Sequence, residues 1–286
     1  DWSVTGVQTC ALPIYRAVVL NEMRRRHVHQ IPFVDDQGRV VEIVTMDELV
    51  PDQILPIQAV IMAGGRGTRL QPLTEAVPKP MLPVGGRPIM EHIVNHLRDA
   101  GIRRLNITTH YKPEHIQQHF SDGSRFGVSI NYVNEEQPLG TAGAIGLIDE
   151  PSEPLLVVNG DILTNINFRG MLTFHKEQNA MMTVAVREFD IQVPYGVIDT
   201  NGARVTSCRE KPVLRFFVNA GIYLLEPSAH AQIPTEVRFD MTDLINRLIA
   251  SGCPVVSYPI SEYWLDIGRP DDYERAQAEG AEAISR

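Results

Sequence analysis

Apolar positions change their rhythm near residue 58, and the change divides the chain in two. Before it, Ala17–Arg26 collects helix formers and ends in a basic run. Ile31–Val34 and Val40–Thr45 are β-branched runs. The turn Asp35-Asp36-Gln37-Gly38 splits them, with glycine supplying the unusual dihedrals. Asp47 then opens a short acidic helix, and Pro51 and Pro56 punctuate a linker. Beyond residue 58, short apolar runs alternate with amphipathic ones. Ala59–Met62, Leu105–Thr109, Val128–Val133 and Leu155–Val158 read as strands. Pro88–Ala100 reads as a helix: Pro88 suits its first turn, Ile89, Ile93, Leu97 and Ala100 share one face, and Gly101 stops it. Pro113–Phe120 and Thr141–Leu147 are helical, and Thr242–Ala250 and Pro270–Glu279 close the chain as helices. Met181–Arg187, Tyr195–Asp199 and Phe217–Leu224 add strands, as a lid or an extension of the sheet. This alternation predicts an α/β fold, a mostly parallel sheet covered on both faces.

Composition narrows the function. The 286 residues are 43% hydrophobic and 21% charged, enough for a sizeable core, and the formal net charge is -9. An acidic chain argues against wide nucleic-acid binding, which needs a basic face, but not against a phosphorylated substrate held by a few local cations. No apolar run is long enough to span a bilayer, so no membrane is expected. Cys10, Cys208 and Cys253 form no metal-ligand pattern, and a reducing cytoplasm is the simplest home. Residues 1–14 lack the basic start and continuous apolar stretch of a signal peptide. Val4–Ile14 reads like one frame of a sequencing-library adapter, so residues 1–14 are set aside as an artefact, and the gene is expected to start further upstream.

The block before the linker, residues 15–52, resembles the second half of a CBS domain. The likeness is carried by His29-Gln30-Ile31-Pro32-Phe33-Val34-Asp35 and by Gly38-Arg39-Val40-Val41-Glu42-Ile43-Val44-Thr45. It implies a partial α+β fragment. CBS motifs work in pairs, so half of one implies no nucleotide cleft here.

The chemistry-bearing signal follows the first strand of the second block. Ala63-Gly64-Gly65-Arg66-Gly67-Thr68-Arg69-Leu70 leads to Pro78-Lys79-Pro80. Three glycines let the backbone approach phosphates with its N–H groups, and Arg69 and Lys79 supply the charge that amides cannot. The pattern is neither a P-loop, which ends in Gly-Lys-Ser/Thr, nor a dinucleotide fingerprint. A lone Gly-Gly pair would read as a surface turn; this longer motif resembles the signature of the sugar-1-phosphate nucleotidyltransferases, such as mannose-1-phosphate guanylyltransferases and glucose-1-phosphate thymidylyltransferases. The likeness runs from about Gln58 to about Ala278, within an expected nucleotidyltransferase domain spanning 58–286. It implies a Rossmann-like mixed sheet flanked by helices. It also implies that Ala63, Gly64, Gly65, Gly67 and Thr68 cradle the nucleotide, Arg69 the triphosphate, and Lys79 the α-phosphate.

Two carboxylates complete the expected centre. Asn159-Gly160-Asp161 ends a strand, where such folds bind ligands, and Asp266 lies in Tyr263-Trp264-Leu265-Asp266-Ile267-Gly268. Either alone would pass for a turn or cap residue; the family resemblance makes Asp161 and Asp266 the holders of Mg²⁺, which takes few protein ligands plus substrate oxygens. Asp271 and Asp272 read as helix N-terminal residues. Glu135-Glu136-Gln137-Pro138-Leu139-Gly140-Thr141 resembles the nucleobase loop. Guanine offers two donors that one carboxylate can accept, so Glu135 favours GTP; Gln137 keeps thymine and uracil open. Gly140 would lie flat against the base, with Thr141 beside it. Glu210-Lys211-Pro212 resembles the sugar-phosphate motif, and Gly196 and Asn219 match segments lining the sugar pocket.

The implied reaction joins an NTP and a sugar-1-phosphate by in-line attack on the α-phosphorus, releasing pyrophosphate. It needs positioning and charge stabilisation, with no covalent enzyme intermediate. A molybdenum-cofactor-type guanylyltransferase fits Arg69-Leu70 and Pro-Lys-Pro poorly. A noncatalytic regulatory subunit is disfavoured by the presence of Arg69, Lys79, Asp161, Lys211 and Asp266. Assembly into a homo-oligomer stays open.

Overall fold

A computed structural model describes residues 54–284 without a break, preceded by residues 19, 22, 23, 25, 26, 28, 30–34 and 37–45. Seven strands form the main sheet: β1 (Gln58–Met62), β2 (Arg104–Thr109), β3 (Ser129–Asn134), β4 (Leu155–Asn159), β5 (Met182–Gln192), β6 (Val213–Leu225) and β7 (Val255–Ile260). Their order across the sheet is β7-β5-β6-β4-β1-β2-β3. β6 runs antiparallel to both its neighbours, and every other pairing is parallel. The antiparallel strand arises because β5 returns through a hairpin-like excursion instead of a helical crossover.

Side-chain alternation along β1 and β4 builds a core on each face. Ala59 and Ile61 join Leu156 and Val158 on one face, under the helices α1 (Ile89–Asp99), α2 (Pro113–Phe120) and α3 (Phe168–Glu177). Val60 joins Leu155 and Val157 on the other, under α4 (Met241–Ala250). Strands buried on both faces read as continuous apolar runs, which is why these were legible. On α1, Ile89, Ile93 and Leu97 are buried as expected, joined by Met90 and Val94; Pro88 sits just ahead of the first turn. Each such large apolar side chain contributes roughly 1.5–3 kcal/mol on burial. The last helix, α5, spans Pro270–Ile284.

Of the three runs expected as a lid or sheet extension, Met181–Arg187 and Phe217–Leu224 fall in β5 and β6 of the main sheet, whereas Tyr195–Asp199 contributes to a separate hairpin. The inner halves of β5 and β6 are buried, and their outer halves run on as an exposed two-stranded arm. A second hairpin, Val197–Asn201 with Arg204–Arg209, lies between them in sequence.

Ahead of the linker, Gln30–Val34 and Val40–Thr45 pair as an antiparallel hairpin, with Val19 and Met23 packed against Ile31 and Val44. The acidic helix expected at Asp47 and the segment 1–14 lie outside the described residues.

β1 sits centrally, with β2 on one side and β4 on the other. Chain connections diverge there, so the C-terminal ends of β1 and β4 bound a crevice of the kind in which open α/β sheets bind ligands. Both the glycine-rich loop and Asn159-Gly160-Asp161 leave from that edge.

Candidate active site

The glycine-rich loop is held from beneath. Ala63 N–H donates to Thr108 O at 2.9 Å, and Gly160 N–H donates to Met62 O at 2.9 Å, which ties the two loops together. Gly67 is left-handed, with φ 61°. A Cβ there would come within 2.9 Å of Thr74 Cγ2 and 3.0 Å of Lys79 Cβ, so only glycine fits. Thr74, 1% exposed, donates from its hydroxyl to Gly67 O at 2.9 Å. Its turn is clamped in return: Tyr111 Oη donates to Thr74 O at 3.2 Å, and Lys112 Nζ to Ala76 O at 2.9 Å. Gly65 has open space where a side chain would stand, whereas a side chain on Gly64 would collide with the Glu135 carboxylate. Thr68 and Arg69 are exposed at the loop's outer end.

Pro78-Lys79-Pro80 packs against the loop from the other side, and Lys79 is buried with its ammonium paired to the Asp161 carboxylate. Asp161 is brought to Asp266 by a short antiparallel pairing of Ile162–Thr164 with Trp264–Asp266, in which Asp266 stands opposite Ile162. Ile267 N–H donates to Asp161 O at 3.0 Å and locks that register. The Asp266 carboxyl is pushed up, first by its partial enclosure and next by the charge of Asp161; Lys79 and Arg69 pull the other way. Arg69, Lys79, Asp161 and Asp266, which span most of the second block, therefore share one electrostatic neighbourhood. The Asp272 charge adds to the upward push on Asp266, and its carboxylate caps α5 by accepting from Arg269 N–H at 2.8 Å, as expected of a helix N-terminal residue. Among the described residues no group of three or more His, Cys, Asp and Glu side chains forms a metal cage.

The loop after β3 turns Glu135 back towards the crevice. Leu139 N–H donates to Glu135 Oε2 at 3.0 Å, and His110 Nδ1 donates to Glu135 O at 2.9 Å. Burial raises the Glu135 carboxyl, opposed by the Leu139 N–H and by His110. Glu136 and Gln137 are exposed. Gly140 is left-handed, with φ 82°, and backs onto Phe239 and Asp240. Thr141 is tied to the same segment: its N–H donates to Asp240 Oδ1 at 3.0 Å, and its Oγ1 accepts from Met241 N–H at 2.8 Å. These contacts fix the loop's path from the side away from Gly64.

Beyond Asp266 lies a cleft of about 230 Å³, lined by Asn159, Ile162, Asn219, Gly221, Tyr223 and Trp264 among others. Asn219, expected to line the sugar pocket, is one of the residues around this cleft. Gly196 and Glu210 come together, a Cβ at 196 lying 3.1 Å from Glu210 Oε2, but they and Lys211 stand on exposed backbone and do not line this cleft. Sequence reasoning did not single out Thr74 or Asn159; their nearness to Pro-Lys-Pro and to Asp161 was the available signal.

Comparison with known proteins finds the Nucleotidyl transferase family model matching residues 58–283. The match begins at Gln58 and does not extend to residues 15–52. Among curated relatives, a mannose-1-phosphate guanylyltransferase of Mycobacterium tuberculosis is 35% identical over 239 residues, covering 80% of this chain and 66% of that protein. A UTP--glucose-1-phosphate uridylyltransferase of Synechocystis is 32% identical over 242 residues, covering 77% and 62%. The chain thus spans just under two thirds of their length. A Bacillus anthracis structure assigned as a glucose-1-phosphate thymidylyltransferase superposes with a TM-score of 0.65 at 26% identity, covering 78% of this chain and 94% of that one.

Proposed function

The chain belongs to the nucleotidyl transferase family, and from that premise we propose that it is a sugar-1-phosphate nucleotidyltransferase, joining an NTP and a hexose-1-phosphate into an NDP-sugar and pyrophosphate. The observation that carries the reading is the meeting of the glycine-rich loop with Lys79, Asp161 and Asp266 at the C-terminal edge of β1 and β4. An oxygen of the sugar phosphate attacks the α-phosphorus in line, the bond from that phosphorus to the β-phosphate bridge breaks, and pyrophosphate leaves. Backbone N–H groups of 63–68 and the Arg69 guanidinium hold the triphosphate. Lys79, kept in place by Asp161, faces the charge that builds on the α-phosphate.

The acids fit a divalent cation. Burial and the charge of Asp161 raise the Asp266 carboxyl, so added positive charge beside these two residues, which would hold the cation, favours its ionised form. Mg²⁺, with its preference for few carboxylates plus phosphate oxygens, would neutralise charge on the triphosphate.

GTP with mannose-1-phosphate or an amino-hexose-1-phosphate is the favoured pair. Support comes from Glu135, whose carboxylate faces Gly64, and from the mycobacterial guanylyltransferase relative. The Synechocystis relative favours UTP as the second reading. For residues 15–52, the partial CBS reading rests on the hairpin and its sequence likeness, and no ligand is assigned to it.

Pyrophosphate release with Mg²⁺, over GTP, dTTP, UTP, CTP and ATP against several sugar-1-phosphates, tests the reading. One active pair is expected, and Glu135→Gln should move base preference from GTP towards UTP or dTTP by about tenfold, the worth of one good polar contact. Silence across the matrix from folded protein would overturn the catalytic reading in favour of a regulatory one.

A further inference from the structure

The cleft beyond Asp266 holds several polar groups, and hydrogen-bond accounting separates them. Asn219 Oδ1 accepts from Gly221 N–H at 2.9 Å, and its amide also meets the Tyr223 hydroxyl. Trp264 Nε1–H donates to Ala220 O at 2.9 Å. These side chains are committed to the cleft's own wall. Asn159 differs: its Oδ1 is buried and has no hydrogen-bond partner, alone in this among the buried side-chain nitrogen and oxygen atoms of the described residues. Burying an acceptor unsatisfied is costly, and such groups call for a functional account.

The residue's setting supplies one. Asn159 ends β4 two positions before Asp161 and lines the cleft together with Trp264 and Asp266. A Cβ on Gly221, a left-handed glycine (φ 70°), would fall 2.5 Å from the Asn159 amide nitrogen, so the absence of a side chain there leaves the amide its room. The Cβ–Cγ torsion of asparagine is soft and roughly two-fold, so Oδ1 can turn about it without any movement of the backbone.

We propose that Asn159 is a specificity-determining residue of the sugar subsite, its Oδ1 accepting a hydrogen bond from one ring hydroxyl of the hexose phosphate. This rests on the reading of the chain as a sugar-1-phosphate nucleotidyltransferase. A neutral acceptor suits the place, because Asp161 is paired with Lys79 and Asp266 is the carboxylate proposed to join it in holding the cation. A site built to bond a hydroxyl discriminates strongly against sugars that lack it there.

The test is calorimetric titration of the wild type, Asn159→Leu and the smaller Asn159→Ala with mannose-1-phosphate, glucose-1-phosphate and their monodeoxy derivatives. Both variants should bind the preferred parent sugar about tenfold more weakly, the equivalent of about 1.4 kcal/mol. One monodeoxy derivative should bind wild type about tenfold more weakly and the variants no worse than they bind the parent. The NTP KM should stay within twofold of wild type. Independent, additive losses for every derivative would overturn the proposal, as would sugar and NTP constants rising together, or wild type that binds no hexose phosphate. Pyrophosphate release at saturating substrates separates the two readings: turnover in wild type without Asn159 coupling removes this inference alone, whereas no turnover with any pair removes the underlying function.

Discussion

Thr74 offers a test of how the phosphate loop is held. Its hydroxyl donates to Gly67 O, and Gly67 O also accepts Leu70 N–H, both at 2.9 Å. Thr74→Val keeps the methyl against Gly67 and Lys79 and deletes only the hydroxyl. The Gly67 carbonyl is left with one partner, so the cost is that of a net hydrogen bond, about 1 kcal/mol, and not that of an orphaned acceptor. A loss of that size lowers Tm by roughly 2–4 °C in a domain of this length. The same energy no longer preorganises left-handed Gly67 for phosphate, and the NTP KM should rise about fivefold with the sugar-phosphate KM unchanged. Thr74→Ser keeps the hydroxyl and removes one buried methyl, worth about 0.8 kcal/mol, so it should lower Tm while leaving the NTP KM near wild type. Melting curves and initial-rate kinetics on the three proteins decide the matter. Equal NTP KM in Thr74→Val and wild type would refute the link from hydroxyl to loop, and so would a Thr74→Ser enzyme as impaired as Thr74→Val.

Asp161→Asn should cut pyrophosphate release by roughly a hundredfold or more, by loosening Lys79 and removing a candidate cation ligand, with the circular dichroism spectrum unchanged. Gly140→Ala places a Cβ 2.8 Å from Phe239 O at φ 82°, and left-handed strain alone costs about 1–2 kcal/mol, so a lower Tm and a weaker NTP KM are expected in the same protein. His175 is 1% exposed between Thr183 Oγ1 at 2.7 Å and Glu226 Oε1 at 3.1 Å, and burial lowers its pKa against the pull of Glu226. The unfolded chain then binds the extra proton first: stability is full above the ordinary histidine value of about 6.5 and falls as pH drops through the folded value. The Tm difference between wild type and His175→Gln should therefore shrink from pH 7.5 to pH 5; a constant difference would exclude His175 as the titrating group.

Local constraint decided what could be read from sequence. β1, its glycine loop and Pro-Lys-Pro were legible because apolar runs, glycine and proline each restrict the backbone where they stand. α3 was missed: Gly170 and Thr173 weaken its helical propensity, although Asn167, whose side chain accepts from Gly170 N–H at 2.9 Å, was a readable cap. β7 was missed because Pro259 interrupts its apolar run; the strand lies at the sheet's edge, where proline is tolerated. The approach of Asp161 to Asp266 rests on the pairing of Ile162–Thr164 with Trp264–Asp266, two three-residue segments too short to carry a pattern.

The sugar side resisted reading for a different reason. Asn159 and Asn219 are the same residue type, each beside a glycine-containing motif, and sequence favoured Asn219. Their difference is one of satisfaction: Asn219 is saturated by Gly221 and Tyr223, while Asn159 Oδ1 has no partner. Satisfaction is a property of the whole neighbourhood, since it depends on which donors the folded chain has already committed. Glu210 and Lys211 make the same point from the opposite direction. Their motif matches the family pattern, yet they stand exposed next to the outer end of the arm, where Gln192 pairs with Val213, and outside the cleft. A sugar phosphate that met them as well would contact the cleft through its hydroxyls and Lys211 through its phosphate. Recognition would then divide, hydroxyls read by the rigid end of β4 and phosphate met by a more exposed lysine. Lys211→Met should on this view weaken inorganic phosphate and sugar phosphate alike, whereas Asn159→Leu should spare inorganic phosphate.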